Sequence, residues 1–263
     1  MITAVYPIRQ REEHHRSWDR LEMSIVSLQR FMLSVSDIFL IDAHSDERFV
    51  AEMVKLARDM GVSLFRAQED YRWNKCRTMN SGMKLATTPY LMQVDMDMIV
   101  TTPKADAVAK ARLDPGVFLT YLIYNLSAVV TLDDICQRPD KELHAWALEH
   151  SKLRSGGRST GGIQIFHRDW FYDIRGYDEG FSLWGREDDD MVRRAERTGI
   201  VRVHDQTPIF HIGHPSSQKA YDKDGAQMRA NAKRYNREGI YRNPESSWGD
   251  IPLAPLVWRG TNV

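Results

Sequence analysis

Apolar residues follow two alternating rhythms over the first hundred positions. The short runs Ile2–Pro7, Asp37–Asp42, Val62–Arg66 and Tyr90–Val94 have the length and character of buried strands. Between them Glu12–Leu33, Asp46–Met60 and Asn74–Ala86 carry apolar residues at helical spacing, and Gly61 supplies a stop signal. In the first helix Trp18, Leu21, Ile25, Leu28 and Met32 form one stripe. Strands alternating with helices of this length predict βαβ units around a mostly parallel sheet.

The second half is less regular. Val117–Tyr121 and Ile163–His167 predict strands, as do Ile200–Val203 and Ile209–Ile212. Asp140–Leu153, Glu187–Thr198 and Gln218–Arg237 predict helices. Residues 155–162 read as a glycine-rich loop, and Asn243–Val263, with three prolines, as extended coil over the surface. The methionine and aromatic groups Met53/Met60, Met79/Met83 and Trp170-Phe171-Tyr172 are expected in the core.

The 263 residues suffice for one large α/β domain, and 42% hydrophobic with 27% charged residues is globular composition. With 36 basic and 36 acidic residues the net charge is zero, which leaves no general footprint for nucleic acid or an anionic membrane. Cys76 and Cys136 form neither a disulfide framework nor a cysteine zinc site. No signal peptide and no membrane-length apolar run is present. The expectation is a cytoplasmic protein.

Three clusters carry candidate chemistry. Asp95-Met96-Asp97 follows a buried strand, where open α/β sheets bind ligands, and paired carboxylates suit Mg²⁺ or Mn²⁺. The bare triplet means little, since 23 aspartates yield about two D-x-D triplets by chance. Its place after the strand is what counts. Glu187-Asp188-Asp189-Asp190 opens a helix after the aromatic stretch Phe181-Ser182-Leu183-Trp184. The helix dipole accounts for one or two of these acids, whereas a sugar needs an apolar face beside hydroxyl acceptors, with one carboxylate free to act as base. In His211-Ile212-Gly213-His214 the two imidazoles would point to opposite faces of a strand unless the chain turns at Gly213. His214 is the favoured ligand, because Gly213 and Pro215 fix its backbone. Arg9, Arg11 and Arg77 follow a strand or begin a helix, and could hold a diphosphate. Asp42, at the end of the second strand, could accept from a uracil or ribose hydroxyl.

Taken in order, these pieces resemble the β1,4-galactosyltransferase family. The segment from Val5 to His14 resembles its P-F-R-N-R-x-x-H opening, and Asn74–Gly82 its F-N-R-A-K-L-L-N-x-G helix. Val94–Ile99 is similar to its D-V-D-L-I motif. Gly161-Gly162, Gly176–Glu179 and Trp184–Asp190 are similar to its G-G…N-G-F…W-G-x-E-D-D-D signature, and His211/His214 fall on its M-x-x-H. The likeness runs from about residue 5 to 215, with Arg186 in place of a glycine, and residues 117–160 match nothing in it.

The resemblance implies a GT-A fold, with a Rossmann-like nucleotide-binding half (1–103) fused to an acceptor-binding half (104–215) across a mixed sheet, then a C-terminal helix and tail (216–263). It implies a soluble bacterial or viral relative that moves a hexose of galactose, GalNAc or glucose type from a UDP-sugar to a hydroxyl acceptor, with inversion. Asp188 would be the base. Glu187, Asp189, Trp184 and Gly162 would meet the acceptor, and Pro7, Arg9, Arg11, Asp42, Asn74, Arg77, Asp95 and Trp184 the nucleotide sugar. Asp97, His214 and His211 would hold Mn²⁺, or Mg²⁺. Two alternatives are a non-catalytic sugar-nucleotide-binding module, disfavoured by an intact Asp188, and a phosphatase of the haloacid dehalogenase type, disfavoured by Ile99 and the late position of Asp95.

Overall fold

A computed structural model describes residues 1–11, 17–127, 129–157, 159–183, 185–214 and 225–258. Its frame is one mixed sheet in the order β10-β3-β2-β1-β4-β8-β6-β9-β5, with β7 paired to β6. β1 (Ile2–Ile8), β2 (Val35–Asp42), β3 (Ser63–Ala67) and β4 (Tyr90–Val94) are parallel neighbours. From β4 onward the sheet turns mixed. β8 (Ile163–His167) is antiparallel to both β4 and β6 (Val117–Leu126), while β9 (Val201–His211) is parallel to β6.

Both faces of the sheet are covered, and side-chain alternation assigns each residue to its layer. From β1, Ile2, Ala4, Tyr6 and Ile8 face α1 (Ser17–Phe31) and α2 (Val50–Met60), meeting Leu21, Ile25, Leu28 and Met53. Val5, with Phe39 and Ile41 of β2, faces α3 (Lys75–Met83), meeting Met79 and Met83. The same face holds α7 (Arg168–Asp173) and α8 (Glu187–Arg197) through Phe171, Met191 and Ala195. Helix ends follow local chemistry. Gly61 closes α2 in the left-handed conformation, and Asn74 caps α3 by accepting from Arg77 N at 2.9 Å.

Several expected boundaries move. The helix expected to reach Leu153 ends at Glu149 as α6 (Asp140–Glu149), because Ser151–Leu153 is drawn into the sheet as β7 against Tyr124–Leu126. The two strands expected around Pro208 are one, β9. A bulge absorbs the proline's missing donor, and Thr207 N instead donates to Asp205 Oδ1 at 2.8 Å. Three helices go unanticipated. α4 (Lys104–Arg112) buries little apolar surface beyond Ala105 and Ala109, too small a stripe to read, while α5 (Leu132–Gln137) and α7 are short, at six residues each. A two-residue strand, β5 (Met98–Ile99), follows the turn after β4.

The C-terminal segment is corrected most. Instead of lying as coil over the surface, Leu253–Val257 forms β10, an antiparallel edge strand on β3, where Pro255 needs no inner partner. Trp258 beyond it packs on Phe65 at 5.2 Å between ring centroids. The last helix, α9, is described over Ala226–Tyr235; the expected start at Gln218 lies outside the described residues. It docks through Arg234, whose guanidinium meets the fully buried Asp178 at 2.5 Å, and Arg237 joins the same carboxylate. Among the described residues no helix is long and apolar enough to cross a membrane.

Candidate active site

The carboxyl ends of β1–β4 and the start of α8 converge on one side of the sheet. After β4 the chain turns tightly: Asp95 N donates to the Gly162 carbonyl at 2.9 Å, and Met98 N returns to the Asp95 carbonyl at 3.1 Å. β5 then pairs Met98 with His211 at the end of β9. Past His211 the chain leaves the strand, and Ile212 N donates to the Asp97 carbonyl at 2.8 Å. This is the turn that both imidazoles required. His214 Nε2 lies 2.8 Å and His211 Nε2 3.4 Å from Asp97 Oδ2, and one donor atom from each residue falls within 4.8 Å of the others. Burial would raise the Asp97 carboxyl, but hydrogen bonds and charge from the two histidines outweigh it and hold it below the usual range. One carboxylate and two imidazoles fit a divalent transition ion such as Mn²⁺ better than Mg²⁺, which prefers oxygen donors.

A second cluster forms where α3 and α8 point their first turns at Asp95. Lys75 Nζ lies 2.8 Å from Asp95, 3.4 Å from Asp188 and 3.7 Å from Glu187. Burial opposes the Lys75 charge, but the three carboxylates outweigh it and raise its pKa well above the ordinary value. Burial also dominates at Asp188, and with Glu187 and Asp95 nearby it pushes the carboxyl up to about 7 against the pull of Lys75. Gly161 belongs here for steric reasons, since a Cβ on it would overlap the Asp188 carboxylate. Gly162, at φ 82, takes a left-handed turn that carries the chain from that contact into β8.

The four acids of α8 divide their work. Glu187 Oε2 accepts from Gly185 N at 2.8 Å, and Asp189 accepts from Thr160 at 2.5 Å while pairing with Arg186 at 2.9 Å. Asp190 is turned to the interior, where Arg193 and Arg194 each meet it at 2.8 Å. Asp188 and Glu187 both reach the Lys75 ammonium that Asp95 meets, Asp188 the nearer at 3.4 Å.

At the ends of β1–β3, Arg9 and Arg11 share Asp70, at 2.8 and 2.5 Å, beside a pocket of about 210 Å³. Other candidates lie beneath or beside it. Asp42 is fully buried, with Ser45 on one oxygen and Arg66 at 2.9 Å on the other, so it braces the pocket wall instead of lining it. Pro7 is buried within β1 opposite Ile41. Asn74 has its amide engaged in the α3 cap and with the Glu179 carbonyl at 2.7 Å. Arg77 pairs with Asp250 of the C-terminal segment at 2.8 Å. Trp184 and Pro215 lie outside the described residues.

Sequence reasoning missed Lys75 and Arg66. For Lys75 a signal was present: it is the first residue after the α3 cap, where the helix dipole disfavours a cation. A lysine there implies a nearby anion, and three are found.

Residues 143–215 match the family model described as the N-terminal domain of galactosyltransferase. Two chondroitin synthases are similar to the chain. That of Pasteurella multocida strain Pm70 is 23% identical over 73% of this chain and 23% of its own length. That of Escherichia coli is 21% identical over 71% and 32%. The chain thus spans less than a third of the length of either relative. Among solved structures, GalNAc-T7 with UDP, GalNAc and Mn²⁺ superposes with a TM-score of 0.57 at 15% identity, covering 82% of this chain and 44% of that one. The catalytic domain of Drosophila β1,4-galactosyltransferase 7 in complex with xylobiose does so at 0.53 and 14%, covering 91% and 82%. Family model, relatives and folds converge on glycosyltransferases, and the fold is GT-A.

Proposed function

We propose that this GT-A chain is a metal-dependent, inverting glycosyltransferase that moves a hexose of galactose, GalNAc or glucose type from a UDP-sugar to a hydroxyl acceptor, with Asp188 as general base. The observation that carries the reading is the meeting of Asp188, Asp95 and Lys75 beside the Asp97–His211–His214 group. The neighbour that binds UDP, GalNAc and Mn²⁺ supports the donor class.

In this reading the nucleotide lies over the ends of β1–β3, with Arg9 and Arg11 exchanging Asp70 for donor phosphate, and Arg77 near its edge. Asp97, His211 and His214 would hold Mn²⁺, which neutralises charge on the departing diphosphate when bound. Asp95 receives the donor's ribose or sugar hydroxyls. Asp188 takes the proton of the acceptor hydroxyl as its oxygen attacks the anomeric carbon opposite the leaving group, and attack from that side inverts the configuration. Glu187 and Asp189 orient the acceptor, while Gly162 borders the space it enters. Residues 1–103 then serve the donor and 104–215 the acceptor.

A donor panel tests this directly. UDP-Gal, UDP-Glc, UDP-GalNAc and UDP-GlcNAc are incubated with the full chain and Mn²⁺, and UDP release is followed before and after EDTA. Slow release from at least one donor is expected even without an acceptor, and EDTA is expected to stop it. Failure to bind or consume any of the four would sink the donor assignment and favour another role for the fold.

A further inference from the structure

The pocket over β1–β3 is lined by Arg11, His44, Ser45, Asp46, Arg66 and Asp70, among others. His44 is unusual among them. Its backbone sits at φ 61, a left-handed conformation that a non-glycine residue adopts at a cost and that tends to persist where a side chain must be aimed. Both ends of the residue are held. Ring Nδ1 lies 3.0 Å from the Ala67 carbonyl oxygen, and the His44 carbonyl accepts from Arg11 Nη2 at 3.3 Å.

Those contacts decide the ring's chemistry. A carbonyl oxygen only accepts, so Nδ1 carries the proton, and in the neutral ring Nε2 is left as an acceptor. Among the described residues no hydrogen-bond partner meets Nε2. Arg66, in the same wall, spends its guanidinium on Asp42, the Ser45 carbonyl and Glu47. A fixed acceptor on an aimed ring selects a ligand edge that presents an N–H.

We propose that His44 is the specificity-determining residue for the nucleobase, its Nε2 accepting from the N3–H of uracil. This rests on the UDP-sugar reading above. Uracil offers N–H at that position, whereas cytosine, of equal size, offers a lone pair, which would face another lone pair. A site built around one polar group discriminates strongly because the wrong partner leaves that group unpaired.

The test titrates the full chain in Mn²⁺ with UDP, CDP and N3-methyl-UDP. The variant is His44→Gly, since glycine takes φ 61 without strain. The wild-type chain is expected to prefer UDP over both analogues by about tenfold or more, and the variant to lose about tenfold in UDP affinity, the scale of one hydrogen bond. Its preference should then shrink to about twofold or less. Loss of a merely structural tie to Ala67 would weaken all three ligands alike. Uniform weakening with the preference intact, or no change at all, overturns the role of His44 and leaves the donor reading standing. Absence of UDP binding in the wild-type chain sinks the donor reading and this inference together.

Discussion

Asp188→Asn is expected to lower the rate of sugar transfer by about a thousandfold, within the range for loss of a general base, while UDP affinity in Mn²⁺ stays within a few-fold. Asparagine keeps the volume that Gly161 leaves open and cannot take a proton from an acceptor hydroxyl. It also removes a carboxyl whose burial opposes ionisation, so the fold should persist with a thermal midpoint no lower than wild type. The wild-type pH profile follows from the same shift. The base acts only when ionised, and its carboxyl is pushed up to about 7, so kcat/KM should rise through neutral pH and level off above it. Near pH 6 the rate should be about a tenth of the plateau. Transfer retained in the variant with that limb intact would move the base to Glu187 or Asp189.

Asp97→Asn is expected to weaken Mn²⁺-dependent UDP binding by about a hundredfold or more, since even groups that only support a metal ligand are worth about ten- to a hundredfold. The residue supplies the anionic donor of the group, and its Oδ2 meets both imidazoles. His214→Ala should cost less, about tenfold, because His211 and Asp97 remain. Calorimetric titration of UDP with and without Mn²⁺ separates the effects: both variants should bind UDP like the wild-type chain when the ion is absent. Unchanged metal-dependent binding in Asp97→Asn would place the cation elsewhere.

The first hundred residues were legible because their signals are local. Four apolar runs each became a strand, and the helices between them follow stripes such as Leu21, Ile25 and Leu28 on α1. The D-x-D pair stood out by its place after β4, and the acids of α8 by their crowding at a helix start. What stayed illegible depends on partners far along the chain. β10 exists because β3 offers an open edge, and β7 because β6 does. Ile200–Val203 and Ile209–Ile212 read as two strands because nothing local announces that β6 pairs with both across a bulge. Asp42 and Asn74 carry the residue types of binding groups, yet their atoms are taken up by Arg66, Ser45 and a helix cap. Lys75 shows the reverse case, a cation whose unfavourable position at a helix start is explained only by carboxylates brought from β4 and α8.

The stereochemistry of the first product tests the account most directly. A UDP-α-hexose consumed by the donor panel is followed by proton NMR in Mn²⁺ from the first turnover, with water or a supplied alcohol as acceptor. With Asp188 activating the attacking oxygen opposite the departing UDP, the sugar appears first as the β-anomer, before mutarotation. Appearance of the α-anomer first would contradict a single displacement with Asp188 as base.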